Sequence, residues 1–420
     1  MFIKLKKRIE ISLFELLLFL YLATYFAHNT NGAEELINKF FFVIFGIYSL
    51  IRIKLVNNNK GIGYLIWFLT FLTYAFSSCL WAQNSRSVFS TITVYAQIVI
   101  LIIGETEYVT NIDKVEKLMK LFVLAVTYSL IVLFIKEPNM LNWFPEGDLN
   151  PNGWHKNAYS YILYISSLIM IYFKYKYKYN KYIFISLLFA ICLLFCNSRK
   201  AILMLIMALA FFIVLNSKKP IIFFRNTIIA LAILVGMFFL LLNNRYLYSL
   251  IGFRFQETLN YFTGRGYIDF STRERVYLME YAIELFFEHP IAGIGLDNFA
   301  YLLGGVYSKS VYSHNTYLEL LSCLGLIGFS LYYYFLFRLL VICVKSLIRE
   351  KDIISSWCVT MITVSLIFDY LQITYNTVYV HFLYLIIYWF MHFKQFEPIK
   401  NKYRLDANAF EEMKTQNVCL

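Results

Sequence analysis

Apolar stretches of about 20 residues, each long enough to cross a bilayer as a helix, recur about twelve times along this chain and constrain its fold more than any other feature. They fall near residues 11–28, 37–53, 64–80, 88–104, 118–135, 158–173, 182–197, 200–216, 221–242, 325–345, 353–371 and 376–393. Lipid offers no hydrogen bonds to an open backbone, so segments of this kind are restricted to helices. The expected fold is therefore an all-α polytopic membrane protein with about twelve transmembrane helices. It forms a single integral membrane domain over residues 1–420, with one long, partly helical loop over residues 243–324. The composition agrees, because 60% of the residues are hydrophobic and only 15% charged, against about a quarter charged in soluble domains.

The linkers set the orientation. Lys4–Arg8, Arg52–Lys60, Lys174–Lys181, Lys218–Lys219, Lys345–Lys351 and Lys394–Arg404 are basic and alternate consistently to one side. The positive-inside rule makes that side the cytoplasm and places both termini there, in the plasma membrane. Only Glu105–Lys117 departs from the pattern. The net charge of +12 lies in these short clusters and forms no groove-binding face, which excludes nucleic acid as a partner. The Lys174–Tyr179 run, with Lys and Tyr alternating, reads as a lipid-facing cytoplasmic anchor. The seven cysteines fall mostly within apolar spans, so no disulfide framework is expected. KLKKR before the first span is read as the flank of an uncleaved helix, since no small-residue cleavage site follows.

The long loop carries the chemistry-bearing residues. From Arg273 to Glu288 the spacing is helical, with Val276, Met279, Ile283 and Phe286 on one stripe and Glu280, Glu284 and Glu288 opposite. Pro290 ends the helix. Arg273 falls on the glutamate side, where a solvated surface charge explains it, although it also qualifies as a substrate-binding residue. Arg275 falls on the apolar arc, where a guanidinium needs either an anionic ligand or a structural carboxylate. Gly293-Ile-Gly295 follows a helix and no strand, so it is a tight turn for close backbone packing and no dinucleotide fingerprint. At Ser313-His314-Asn315-Thr316 a helix starts, with Asn315 or Ser313 as its cap. It runs to a break at Gly325, and a membrane span follows. His314 stands at the outer mouth of this broken helix. A reference pKa near neutrality makes it the best acid–base candidate, the alternative being a capping histidine. No His, Cys or carboxylate spacing suits a metal, and no cofactor is expected.

Three further places on the outer side qualify. Arg199 and Lys200, in a turn between two spans, put positive charge where the orientation rule disfavours it; they bind a ligand or snorkel to headgroups. Arg86 in the WAQNSRS turn is a weaker case, and Asn152 lies in a polar turn, Asn150–Asn157, that suits sugar binding or a plain loop. Together, Arg199, Arg275 and His314 form an outer-face set. Guanidiniums match the oxygens of a pyrophosphate, and a histidine can activate a hydroxyl. Glycosyl transfer from a lipid-pyrophosphate donor needs both functions.

The stretch Arg275, Met279, Ala282, His289-Pro290, Gly293, Gly295, Asn298-Phe299, followed by His314-Asn315, Tyr317-Leu318, Leu321, Gly325 and Gly328, resembles the signature of the O-antigen ligase/polymerase superfamily. The Ser198-Arg199 turn and the Asn150-Pro-Asn turn are also similar to that family. This chain departs from the pattern at Met279, where the family often has tryptophan, and at Cys323-Leu324, where an acidic residue is common. The resemblance implies a metal-independent membrane glycosyltransferase that takes glycan from undecaprenyl pyrophosphate, with flippase and chain-length regulator proteins as partners. It further implies that Arg199 and Arg275 bind pyrophosphate and that His314 activates the acceptor hydroxyl or orients the donor. The expected activity is polymerisation of O-antigen or capsular repeats, or else the sister ligase reaction onto lipid A-core. A lipid-linked sugar flippase is the third reading. It requires mid-membrane ionisable residues, for which Glu15 and Asp369 are the candidates.

Overall fold

The computed structural model describes residues 11–28, 33–53, 62–137, 151–196, 198–217, 219–245, 270–307 and 311–395, together with isolated positions between 245 and 270. Among them there are helices and turns but no strand. The helices are α1 (Leu13–Ala27), α2 (Ala33–Ile51), α3 (Ile62–Ser77), α4 (Ile92–Tyr108), α5 (Ile112–Lys136), α6 (Lys156–Tyr177), α7 (Lys181–Phe195), α8 (Arg199–Leu215), α9 (Pro220–Asn243), α10 (Phe270–Glu288), α11 (Asn298–Tyr307), α12 (Thr316–Glu350) and α13 (Ile353–Asp369). A further helix, α14, covers residues 378–395.

Each of the twelve apolar segments lies on one of these helices. By length and composition, four helical stretches are fit to cross a membrane, Ile62–Leu80, Ser87–Tyr108, Ile112–Lys136 and Thr316–Glu350; five shorter helices are apolar. Helix starts follow local chemistry. Ser12 and Glu15 form a capping box on α1, Asn111 caps α5, Asp352 caps α13, and Pro220 opens α9 at a position where its missing N–H costs nothing.

The core is aromatic and aliphatic, and α14 is its axis: Val378, Phe382, Leu385, Ile386, Trp389 and Phe390 are all buried. The outer faces remain apolar. Phe40 is 60% exposed, Phe184 69% and Val235 68%, a surface suited to lipid and not to water.

Contacts between turns obey the predicted sides. Turns assigned to the outer side meet one another: Lys136 pairs with Glu34 at 2.6 Å, the Ser198 hydroxyl donates to Asn157 Oδ1 at 2.9 Å, and Lys200 Nζ donates to Leu371 O at 2.6 Å. Turns assigned to the other side do likewise. Lys117 pairs with Glu15 at 3.1 Å, and Lys394 pairs with Glu350 and Asp352, both at 2.7 Å. The Lys174–Tyr179 run departs from expectation in part: Lys178 and Tyr179 are exposed, but its middle is not. Lys176 and the Tyr177 hydroxyl turn inward onto the Glu116 carboxylate, which Tyr172 also contacts at 2.5 Å. A buried carboxylate needs such partners more than the lipid surface needs an anchor.

Candidate functional site

The turn after α10 and the break in α12 are built against each other. Gly325 interrupts α12 with φ 62° and ψ −167°. Ile294 N donates to Ser322 O at 3.0 Å and Gly295 N to Cys323 O at 2.8 Å; from the other strand of the clamp, Leu326 N donates to Pro290 O at 2.9 Å and Ile327 N to Ile291 O at 3.2 Å. The backbone groups released by the break are thereby satisfied by the turn. No side chain fits between them: a Cβ on Gly293 would stand 2.4 Å from the Cys323 carbonyl, and one on Gly325 2.3 Å from the Ile291 carbonyl oxygen. Both glycines have positive φ, +69° and +62°. The Tyr74 hydroxyl ties α3 to the same place by donating to Leu324 O at 3.0 Å. The predicted tight turn and the predicted helix–break–helix are thus one structure.

This clamp positions His314. Asn315 caps α12, its side chain accepting from Leu318 N at 3.2 Å, and Ser313 N donates to Glu319 Oε2 at 2.8 Å. Between these fixed neighbours His314 adopts a left-handed conformation, φ 60°. Non-glycine residues held there carry strain that the surroundings must maintain, which is common at functional sites. The Tyr312 ring packs against His314, centroids 4.4 Å apart. Burial, and then the charges of Arg275, Lys200 and His155, push His314 down to about 4 from the ordinary 6.5. The near-neutral pKa expected from sequence therefore does not survive burial among cations. Burial also raises Tyr312, with Glu319 acting in the same direction and Arg275 against it.

Arg275 reaches this place from α10. The buried stripe of that helix is Leu278, Ala282 and Leu285, so Arg275 sits one turn before Leu278 on the buried side and is half-buried, whereas Arg273 is exposed. The stripe is displaced from the expected one, for Ile283 is 41% exposed. The polar side of the site is a cavity of about 510 Å³ whose walls include Ser90, Thr91, Asp297, Tyr312, Glu319 and Tyr375. Asp297 is a second non-glycine residue with positive φ, 55°. Its Oδ2 accepts from Thr91 Oγ1 at 2.6 Å and Ser90 Oγ at 3.0 Å. Next to it, Asn298 is locked to the turn after α3: Asn84 N donates to Asn298 Oδ1 at 2.9 Å, and Asn298 Nδ2 donates to Asn84 O at 3.2 Å.

A cationic corner thus adjoins a cavity rich in carboxylates, hydroxyls and phenols, and the two motif halves hold both in place. The O-antigen ligase family model matches residues 184–333, about a third of the chain, and spans both halves. Residues 184–333 are thus similar to the O-antigen ligase family. No curated protein matches the chain. That similarity agrees with the superfamily to which the motif residues pointed. It supports ligase- or polymerase-type function in general terms and does not separate the two.

Among the residues singled out from sequence, Asn315 caps the helix that follows His314, and the charges of Arg275 and Lys200 act on His314. Arg199 opens α8 beside Lys200; its side chain lies outside the described residues, as does most of the loop from 246 to 269. Arg86 and Arg273 are exposed. Asn152 is buried, donates to Ser129 O at 2.9 Å and has a left-handed backbone; it braces the turn before α6. Glu15 and Asp369 are likewise engaged. Glu15 is bound at the start of α1 to Tyr108 and Lys117, and Asp369 accepts from Tyr333 at 2.9 Å and from Thr374. Sequence reasoning missed His155, Asp297, Glu319 and Tyr375. The one available signal was Asp297 beside the Asn298-Phe299 motif pair. Among the described residues no three His, Cys, Asp or Glu side chains converge on a metal-sized site.

Proposed function

We propose that the protein is a membrane glycosyltransferase that polymerises lipid-linked oligosaccharide repeats on the outer face of the plasma membrane, with undecaprenyl pyrophosphate as the leaving group. The observation that carries this reading is that the charges of Arg275 and Lys200 act on His314, which packs against Tyr312 in the wall of a polar cavity. A developing pyrophosphate is stabilised by a fixed guanidinium such as Arg275, which needs no reorganisation during the reaction; burial, and then the charge of Arg275, push Lys200 down to about 7, so near neutrality it adds positive charge only in part. Arg199, at the start of α8, adds to this set. His314, held neutral among cations, serves as a hydrogen-bonding group that orients the donor; its low basicity argues against the role of proton acceptor. Exposed Arg86 and Arg273 supply long-range attraction for the anionic donor.

The decisive assay is elongation by purified protein given lipid-pyrophosphate repeats. Long chains are expected from the wild type and a loss of about 100-fold or more from Arg275→Ala, the scale of a missing transition-state contact. Unchanged long polysaccharide from His314→Ala at normal expression would overturn the mechanism. The family description gives the ligase reaction a second claim. A deletion strain separates the two: single-repeat products mark a lost polymerase, and free lipid-linked polymer marks a lost ligase.

A further inference from the structure

We propose that the cavity beside His314 is a saccharide site and that the Asp297 carboxylate accepts the proton of the acceptor hydroxyl there. This rests on the glycosyl-transfer reading above and assigns the base that reading lacks. The cavity, about 510 Å³, falls within the roughly 300–1,000 Å³ of small-molecule sites. Its walls join phenol rings, Tyr301, Tyr312 and Tyr375, to amides and hydroxyls, Gln372, Asn376 and Thr91. A pyranose presents that same mixture, C–H faces that pack on aromatic rings and hydroxyls that exchange hydrogen bonds.

Two carboxylates line this space, each with one oxygen committed and one nearly free, and exposure tells them apart: Glu319 is 3% exposed, with only the Cys323 thiol near its Oε1 at 4.0 Å, whereas Asp297 is half-buried and open to the cavity. Glu319 is buried, and its Oε2 is committed to Ser313 N at 2.8 Å, which holds the loop that carries His314. Asp297 is held by hydroxyls on Oδ2, while Oδ1 has only a long contact, 3.4 Å, from the Tyr375 hydroxyl. An ionised carboxylate accepts about four hydrogen bonds, so Oδ1 retains room for a substrate hydroxyl. Burial raises Asp297 above the usual carboxylate range against the opposing bonds from Thr91, Ser90 and Tyr375, which brings its basicity closer to that of a general base working near neutrality. The left-handed backbone at Asp297 and the pair of hydrogen bonds between Asn298 and Asn84 fix the carboxylate at the cavity wall.

The step balances. The acceptor oxygen bonds to the anomeric carbon as the bond from that carbon to the pyrophosphate oxygen breaks. The electron pair leaves with the lipid pyrophosphate, beside the cations. The hydroxyl proton passes to Asp297 and from there to water.

The test uses the full chain in lipid nanodiscs and three readings: elongation of the host's own lipid-linked repeat, affinity for undecaprenyl pyrophosphate, and affinity for the repeat oligosaccharide cleaved from its carrier. Asp297→Asn is expected to lower elongation about 100-fold or more, the scale of general base catalysis, with undecaprenyl pyrophosphate affinity unchanged within about twofold. Elongation by Asp297→Asn within about threefold of wild type, or a parallel loss of donor binding, overturns the assignment. Should Asp297→Asn not fold, Asn376→Ala reads the same cavity: about tenfold weaker oligosaccharide binding supports the site, the loss of roughly one hydrogen bond, and unchanged binding overturns it. If the wild type elongates nothing, the glycosyl-transfer reading fails. The saccharide site is then judged by oligosaccharide binding alone, and no binding by the wild type rejects it.

Discussion

His314 is surrounded by charges of its own sign. Its depressed pKa carries two consequences, one for activity and one for stability. At neutral pH the ring is uncharged, so a neutral hydrogen-bonding replacement keeps part of its role. His314→Gln is expected to retain clearly more elongation than His314→Ala; equal losses would mean that ring shape, and not hydrogen bonding, is what matters. Above 6.5 the residue is neutral in both folded and unfolded chains. As pH falls from there towards 4, the unfolded chain takes up a proton that the folded one refuses. Stability present above 6.5 is therefore lost progressively over that interval. Thermal melting in detergent between pH 7.5 and 4.5 should show a smaller acid-induced drop for His314→Gln than for wild type. The position of His314 was legible in the sequence, because a polar cluster before an apolar run marks a helix start. Its electrostatic setting was not, since Arg275, Lys200 and His155 come from three other segments. Asp297 was hidden for the same reason. Its partners Ser90 and Thr91 lie about 200 positions away, beyond any local pattern.

Among the elements, the clamp between the turn after α10 and the break in α12 is the most exacting. Gly325→Ala and Gly293→Ala each force a Cβ into backbone at under 2.5 Å and impose an unfavourable φ, which alone costs about 1–3 kcal/mol. Both should lower the melting temperature, and the double variant should fall short of the sum, because the first substitution already opens the clamp. Asn315→Ala removes a single cap, about 1 kcal/mol, and should be milder than either glycine change. Sequence periodicity found the helices readily because apolar runs and caps are local signals. It misplaced the buried stripe of α10 by about one position. Several residues of that helix are only half-buried, so the contrast between its faces is weak.

Across the whole molecule, turns assigned to one side touch only turns of the same side in the contacts described above. The orientation proposed from linker charge can be checked directly. In a background without Cys79 and Cys419, Ile291→Cys, at a position 66% exposed, should react with an impermeant maleimide added to intact spheroplasts. Lys351→Cys, also exposed, should react only after permeabilisation. The reverse pattern would invert the protein and remove the outer-face mechanism with it. The apolar runs made the all-helical fold readable, because the bilayer admits few alternatives. The packing of the outer turns into one site depended on contacts that no linker shows by itself.

The four backbone bonds of the clamp also bear on biogenesis. Residues 290–295 emerge from the ribosome before residues 322–327, and the amides of Ile294, Gly295, Leu326 and Ile327 each bond to a carbonyl of the other segment. The bonds close only if α12 threads the membrane in the direction that delivers its break to the side where the turn waits. A helix inserted the wrong way round would leave both sets of groups unpaired. The fully paired state of the clamp therefore requires that the break and the turn end on the same side.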